Sequence, residues 1–147
     1  SYFSKNISLN AIHINIEKKS EDNENSYAIH LAAKTGNVKI FKSLLEKIKN
    51  VNVKQKYGYT ALHIAVSMHH TQIVNELLND QRVDLNAQDD GGWTPLHLAS
   101  QFGFCDNVKL FVICVPRVDL KIRTFDGKTA FDLASTEKRT DIIELLK

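Results

Sequence analysis

Residues 94–99 read Thr94-Pro95-Leu96-His97-Leu98-Ala99, and this stretch recurs in three other places along the chain. The other copies are Tyr27-Ala-Ile-His-Leu-Ala32, Thr60-Ala-Leu-His-Ile-Ala65 and Thr129-Ala-Phe-Asp-Leu-Ala134. They start at residues 27, 60, 94 and 129, which gives intervals of 33, 34 and 35 residues. Self-similarity at a nearly fixed period is typical of stacked repeat proteins, so the chain is predicted to contain four structural units in series.

The chemistry of each copy predicts the start of a helix. A threonine such as Thr60 or Thr94 suits a helix N-cap, where its hydroxyl accepts from an orphan backbone N–H. Pro95 then stands at the first helical position, where its missing N–H costs nothing. A second apolar block with helical spacing follows, as in Ile73, Val74, Leu77 and Leu78. Helices of about 8–10 residues are marginal alone, so stacking must supply the burial.

The turn between the two helices of a unit is predicted from the residue that ends the first helix. Gly36 and Gly103 stand at this position in the first and third units, and glycine favours the left-handed backbone that ends a helix. His69 and Lys138 replace it in the second and fourth units. We therefore expect those two turns to be less well formed.

This pattern resembles the ankyrin repeat family, most specifically in the Thr-Pro-Leu-His-Leu-Ala form at residues 94–99. The resemblance covers residues 25–147 and implies an all-α solenoid of stacked helix-turn-helix units joined by β-hairpin loops. Its units are expected at about 25–57, 58–91, 92–126 and 127–147. Residues 1–24 match poorly and are expected to be an N-terminal capping segment, with Ile7, Ala11 and Ile14 in a helix and residues 17–24 as a polar loop.

Composition limits the function classes. The 147 residues are 43% apolar and 24% charged, which fits one ordered domain. The balance of 19 basic and 17 acidic residues, a net +2, gives no reason to expect nucleic acid as a partner. The longest apolar run, residues 110–115, is too short for a bilayer that needs about 20 residues, and we see no secretory leader.

Cys105 and Cys114 are the two cysteines of the chain and lie nine residues apart. On one helix that separation is about 13 Å, too far for a disulfide, whose Cα atoms lie within about 7 Å. Unpaired thiols indicate a reducing compartment, so we expect an intracellular, cytoplasmic protein, with the nucleus as an alternative.

Motifs for catalysis and metal binding are missing from the sequence. It has no phosphate-binding glycine loop and no His-Glu-x-x-His. His30, His63 and His97 would lie on stacked helices about 8–10 Å apart, too far to share a zinc ion, so each is expected to bond backbone or its own turn's threonine. Asp89-Asp90 precedes two glycines and is interpreted as a solvated turn. We expect no enzyme activity, cofactor or metal.

The ankyrin resemblance implies that a partner binds a concave surface, built from hairpin tips and the exposed ends of the inner helices. The predicted partner contacts are Lys56, Tyr57, Tyr59, Met68, Asp90, Trp93, Gln101, Phe102, Phe125, Asp126 and Lys128, with Ser67, Gly91, Thr136 and Glu137 beside them. In the first unit the matching positions are Asn23, Glu24, Ser26, Lys34 and Thr35. The rings favour an interface; the alternative is that some pack against neighbouring hairpins.

Two further features leave alternatives open. Residues 34–56 hold seven lysines against Glu46, a balance of +6, and residues 76–90 hold five acidic residues against Arg82, a balance of −4. The basic run is either a solvated helix face or a contact for an acidic protein, a membrane surface or nucleic acid. Asn86, with Leu78 and Asp84 before it, resembles the acceptor of asparaginyl hydroxylation in ankyrin hairpins; the alternative is that it satisfies backbone groups.

The leading functional prediction is a non-catalytic interaction module, monomeric on its own, that binds another protein on its concave face as an adaptor, scaffold or inhibitor. One alternative is the targeting or regulatory ankyrin domain of a larger enzyme, channel or secreted effector. Another is an inhibitor-of-NF-κB-like repressor of a transcription factor.

Overall fold

The computed structural model describes the backbone of residues 21–147 and the side chains from residue 25 onward. Within that range the chain is all-helical, with eight α-helices, a short 3-10 turn at Lys56–Gly58 and no β-strand. The helices are α1 Glu21–Thr35, α2 Val38–Lys47, α3 Ala61–Ser67, α4 Thr71–Leu78, α5 Pro95–Phe102, α6 Cys105–Ile113, α7 Ala130–Thr136 and α8 Thr140–Leu146. The predicted fold class is confirmed.

Consecutive helices pair into four units, here called repeats 1 to 4: α1 with α2, α3 with α4, α5 with α6, and α7 with α8. Helices α1, α3, α5 and α7 pack side by side as an inner row, and α2, α4, α6 and α8 form an outer row. One apolar core runs through all four repeats, from Ile29 to Leu146. The short helices are thus stabilised by their neighbours, as in other repeat proteins.

Each inner helix after α1 starts with the predicted threonine cap. In repeat 2 the His63 N–H donates to Thr60 Oγ1 at 3.4 Å, and the Thr60 N–H donates back to His63 Nδ1 at 3.2 Å. Repeat 3 has the same reciprocal pair, and in repeat 4 the carboxylate of Asp132 takes the place of the imidazole. Both orphan donors are therefore satisfied within one turn.

The histidines also join consecutive loops. Because Nδ1 of His63 accepts the Thr60 N–H, the ring carries its proton on Nε2, which donates to the Trp93 carbonyl at 2.8 Å. His97 Nε2 reaches the carbonyls of Ile122 and Lys128 in the same way, and His30 Nε2 lies 3.0 Å from the Val53 carbonyl. The prediction that each histidine bonds backbone or the threonine of its own turn is confirmed for all three: His63 and His97 bond both, and His30 bonds backbone.

The expectation of poorer turns after His69 and Lys138 is wrong. These residues adopt φ of 57° and 56°, close to the left-handed region that Gly36 and Gly103 occupy at 78° and 77°. The closing bond is equally short, with His70 N–H to the Ala65 carbonyl at 2.9 Å. The surrounding bonds and packing thus hold a non-glycine residue in a conformation that costs about 1 kcal/mol or more.

The N-terminal segment differs from the expected polar loop. Helix α1 includes Glu21, so residues 21–24 are helical rather than a loop. Polar residues can form a helical turn that faces solvent, and polarity alone does not distinguish it from a loop. Residues 1–20, with the expected capping positions Ile7, Ala11 and Ile14, lie outside the described residues.

Two arginines, whose role was not predicted from the sequence, join the outer ends of the repeats. Arg117 Nη1 donates to the Leu78 carbonyl at 2.9 Å, and Nη2 donates to the carbonyls of Asp80 and Val83 at 2.7 and 2.8 Å. Arg82 binds the carbonyls of Leu45 and Ile48 one repeat earlier. Each guanidinium therefore satisfies orphan carbonyls where the preceding outer helix ends. The signal was the repeated Arg-Val-Asp-Leu at 82–85 and 117–120.

Candidate protein-binding surface

The three loop tips between the repeats lie side by side. Each tip closes with one backbone bond of the hairpin type, at 2.9, 2.8 and 2.8 Å: Gln55 N–H to Tyr59 O, Asp89 N–H to Trp93 O, and Thr124 N–H to Lys128 O. Neighbouring tips are joined in turn, because the Asp90 N–H donates to the Tyr57 carbonyl and the Phe125 N–H to the Gly91 carbonyl, both at 3.0 Å. The tips thus form a continuous, hydrogen-bonded edge.

Four predicted contact residues expose large apolar side chains along this edge and beside it. Tyr57 and Phe125 on the tips are 60% and 72% exposed, and Met68 and Phe102 at the ends of α3 and α5 are 45% and 47% exposed. None of the four belongs to the apolar core. We call these four residues the apolar row. Lys56, Asp90, Asp126 and Lys128 are exposed at the same tips.

Other predicted contact residues are less available. Tyr59 and Trp93 are half-buried, and their rings lie 5.8 and 6.1 Å from those of His63 and His97. These two rings pack against the histidine of their own repeat and the apolar core, rather than against a neighbouring hairpin. Half-buried Gln101 donates to Glu137 Oε1 at 3.2 Å.

In the first repeat, Ser26 is buried, which is a correction to its expected place on the surface. A position that faces solvent in a later repeat faces the packed side of α1 here. The side chains of Asn23 and Glu24 lie outside the described part of the chain.

Tyr57 combines exposure with an unfavourable backbone. Its φ is 66°, in the left-handed region, whereas Gly91 and Asp126 stand at the matching places of the next two tips. A bulky residue in this region is a genuine outlier. Its ring contacts Lys56 Nζ at 5.0 Å from the centroid and Tyr59 at 6.3 Å between ring centroids. Since the ring contributes nothing to the core, the fold alone does not explain this residue.

The titratable groups near the tips make hydrogen bonds that belong to the fold. Burial lowers the pKa of the His63 and His97 imidazoles, against the opposing effect of the backbone carbonyls they bond. Asp89 Oδ1 accepts from the N–H groups of Gly91 and Trp93 at 2.8 and 2.9 Å, so it is a turn residue. Among the side chains that the structure describes, those of residues 25–147, no three His, Cys, Asp or Glu side chains are grouped as metal ligands.

Asn86 is bonded at both ends of its amide. Nδ2 donates to the Arg117 carbonyl at 2.9 Å, and Oδ1 accepts from the Asp119 N–H at 2.8 Å. Asn52 makes the matching pair of bonds to Arg82 and Asp84 one repeat earlier. The structural alternative therefore accounts for the asparagine at this position, and its hydroxylation stays a prediction.

The basic run of repeat 1 is solvent-facing. All seven lysines between residues 34 and 56 are exposed. Lys42 pairs with Glu76 at 3.3 Å, and Lys54 donates to the Gln88 carbonyl at 2.6 Å. This agrees with a solvated face, and an acidic partner for it stays a prediction.

Comparison with known proteins identifies the family. The family model described as ankyrin repeats (3 copies) matches residues 3–89 and 73–147. The chain belongs to the ankyrin repeat family. Ankyrin repeats are protein-interaction modules, and no helix of residues 21–147 has the length and apolar character needed to cross a membrane.

Curated relatives carry this ankyrin region within much longer proteins. The chain is 35% identical over 94 residues, 63% of its length, to mouse protein phosphatase 1 regulatory subunit 12A. It is 29% identical over 133 residues, 90% of its length, to the Drosophila melanogaster tyrosine-protein kinase Shark. It is 33% identical over 118 residues, 76% of its length, to human transient receptor potential cation channel subfamily A member 1. The chain spans 9%, 14% and 10% of the length of these relatives.

Proposed function

We propose that this ankyrin domain binds a protein partner on its concave inner side, with the apolar row as the central contact. The observation that carries the proposal is the exposure of four large apolar side chains on adjoining tips and helix ends. Grouped apolar side chains on a surface are typical of protein interfaces, and aromatic residues supply much of their binding energy. The repeats hold the row in place, so binding requires little ordering of the domain.

Tyr57 supports this proposal most directly. Its left-handed backbone costs stability and its ring stays in solvent, which is the combination expected of a residue retained for recognition. The charged side chains around the row are of both signs, with Lys56 and Lys128 beside Asp90 and Asp126. Charges at a rim contribute to orientation and partner choice more than to affinity.

A second candidate is that the domain targets or regulates a larger protein that contains it. It is favoured by the small share of each relative that the chain spans. By their names these relatives are a phosphatase regulatory subunit, a tyrosine kinase and a cation channel. In both candidates the domain acts by binding rather than by catalysis. The two free cysteines fit a reducing compartment, the cytoplasm or the nucleus.

Affinity capture from extract of the cells that make the protein tests the concave surface. Wild-type protein is compared with the double variant Phe102→Ala/Phe125→Ala, which removes two exposed rings and leaves the core intact. The control is Ile40→Asn, which removes an exposed apolar side chain from outer helix α2. We expect the double variant to lose bound proteins that the wild type and the control retain. Equal capture by all three, with unchanged circular dichroism, would remove the apolar row as the binding surface.

A further inference from the structure

One side of helix α1 is apolar and exposed. Tyr27 and Leu31 lie one helical turn apart and are 70% and 47% exposed. The position of Leu31 holds Ile64, Leu98 and Leu133 in repeats 2, 3 and 4, where these side chains are 7%, 7% and 8% exposed. Helices α3, α5 and α7 each pack on the inner helix of the preceding repeat, whereas no helix within residues 21–147 precedes α1. The apolar side of α1 is therefore the place where a preceding helix would pack.

Helix α1 also extends further towards the N-terminus than the other inner helices. It has 15 residues, whereas α3, α5 and α7 have 7, 8 and 7. Its residues 21–27 stand where repeat 2 has a loop tip and the capping threonine, at residues 54–60. The chain thus enters repeat 1 through a helix, so the residues before Glu21 are joined directly to the helix that carries the apolar side.

The sequence before α1 contains apolar residues that match this side. Ile7, Ala11 and Ile14 recur at the spacing of one face of a helix. The family match begins at residue 3 and includes all three. Residues 18–20, Lys-Lys-Ser, are polar and suit the loop of a helical hairpin, which has about two to five residues. Residues 1–17 therefore have the composition of a helix that folds back on α1.

The register of such a hairpin follows from its loop. A chain that reverses at residues 18–20 runs antiparallel to α1, with residue 17 level with residue 21. Both helices rise by about 1.5 Å per residue. Ala11 is then level with Tyr27, and Ile7 is level with Leu31. Two apolar residues of the segment would thus meet the two exposed apolar residues of α1.

We propose that residues 1–17 pack on α1 as an antiparallel helix, with Ala11 against Tyr27 and Ile7 against Leu31. The competing occupant of this side is a second copy of the chain. A loop of three residues holds the segment at an effective concentration on the order of millimolar, whereas a second copy must associate from solution. The contact closes the N-terminal end of the inner row, so the proposal is independent of the proposed partner surface.

Disulfide trapping in the full chain tests the contact. The variant Ile7→Cys/Leu31→Cys is combined with Cys105→Ser/Cys114→Ser, which removes the native thiols, and is oxidised at low protein concentration. The control is Ile7→Cys/Phe125→Cys, whose second cysteine lies on the exposed tip before α7. We expect the intramolecular disulfide to residue 31 to form at least about tenfold faster than the one to residue 125. Proteolysis and mass spectrometry identify the linked peptides.

Urea denaturation of the full chain with its native cysteines tests whether the contact stabilises the fold. Ile7→Asn should raise the equilibrium constant for unfolding by about tenfold, because it removes a buried apolar side chain. It should have little further effect in a Leu31→Asn background, since both variants remove the same contact. The control is Lys5→Asn, which lies on the opposite side of a helix from Ile7 and should change the constant by less than about twofold.

Three results would overturn the proposal. The first is an equal rate of disulfide formation to residues 31 and 125. The second is an Ile7→Asn variant that is as stable as the wild type. The third is a disulfide between two chains whose yield rises with protein concentration, because it would show that a second copy covers Leu31.

Discussion

Repeats 2 and 3 share the same helix caps and loop hydrogen bonds and differ in the side chains that they bury. Both start with a threonine that caps the inner helix and a histidine that reaches the next loop. Inside repeat 2, Val66 and Ile73 are fully buried. Their counterparts in repeat 3 are Ser100 and Asn107, which are equally buried. Ser100 Oγ and both polar atoms of the Asn107 amide find no hydrogen-bond partner in the described part of the chain.

This contrast separates the features that the ankyrin fold requires from those that can vary. The caps, turns and loop bonds are alike in the two repeats, whereas the buried side chains differ. Repeat 3 buries polar atoms where repeat 2 buries aliphatic side chains. A buried polar group without a partner costs about 1–3 kcal/mol, and the stability of a repeat array is a sum of local and nearest-neighbour contributions. We therefore expect repeat 3 to be the weaker of the two.

The largest effect is expected when a buried residue of repeat 2 is replaced by its counterpart from repeat 3. Ile73→Asn removes a buried aliphatic side chain and adds an amide without partners, so it should lower the free energy of unfolding by about 3 kcal/mol. Urea denaturation followed by circular dichroism measures this. Gln72→Asn on the exposed face of the same helix is the control, expected within about 0.5 kcal/mol. A cost below about 1 kcal/mol would show that repeat 2 tolerates a polar interior.

The reverse exchange should stabilise repeat 3. Asn107→Ile replaces the unpaired amide with the residue that Ile73 and Ile142 supply at the matching positions of repeats 2 and 4. We expect a gain of about 1–2 kcal/mol in the free energy of unfolding. Asn107→Ala is the companion variant, since it removes the amide without filling its space. A loss of stability in both variants would mean that Asn107 has a partner, such as a buried water.

A third comparison concerns the arginines that bind the outer helix ends. Arg117→Ala leaves three carbonyls without their charged donor, and we expect it to lower the free energy of unfolding by about 2 kcal/mol. Arg123, which is exposed and makes one backbone bond to Gly127, is the matched control. Arg123→Ala should cost about 0.5 kcal/mol or less. Similar costs for the two variants would show that the three carbonyls find water instead.

The sequence predicted the parts of the fold that depend on local chemistry. The four repeats, the threonine caps and the loop-bonding histidines follow from residue types at fixed spacing. The hydrogen bonds of Arg82 and Arg117 were not predicted, because their acceptor carbonyls lie 34–39 residues earlier in the chain. The prediction for the turn at His69 was wrong because the bonds around this residue, rather than its own preference, set its left-handed backbone.

Part of the candidate binding surface was also predictable from the sequence. Tip position alone correctly gave the exposure of Tyr57 and Phe125. It could not show that Tyr59 and Trp93 turn towards the histidines of their own helices, because that depends on the packing of the preceding and following loops. The exposure of Ile113, at 78%, was not predicted from the sequence, because residues 110–115 were interpreted only as an apolar run too short for a bilayer.

The pH dependence of stability follows from the buried histidines. Burial lowers the pKa of His30, His63 and His97 below 6.5, so the folded state binds fewer protons than the unfolded chain. Their contribution is fully present above about pH 6.5 and is lost as the pH falls through the folded-state values. Thermal unfolding between pH 7.5 and pH 5 should therefore show a falling Tm. The variant His63→Asn/His97→Asn should fall less steeply, and equal slopes would contradict this origin.

The smallest effect is expected at His69, which lies between α3 and α4 of repeat 2 and contacts Phe104 of repeat 3. His69 stacks on Phe104 at 4.0 Å between ring centroids and lies 3.0 Å from Asp106, in a pair whose members are 45% and 51% exposed. His69→Ala loses these contacts and keeps an unfavourable left-handed backbone, so it should cost about 1 kcal/mol. His69→Gly introduces the residue that repeat 3 has at Gly103 and relieves the backbone, so it should lie within about 0.5 kcal/mol of wild type. Urea denaturation of both variants measures the difference. If the His69→Gly variant is no more stable than the His69→Ala variant, the left-handed conformation at residue 69 carries no measurable cost.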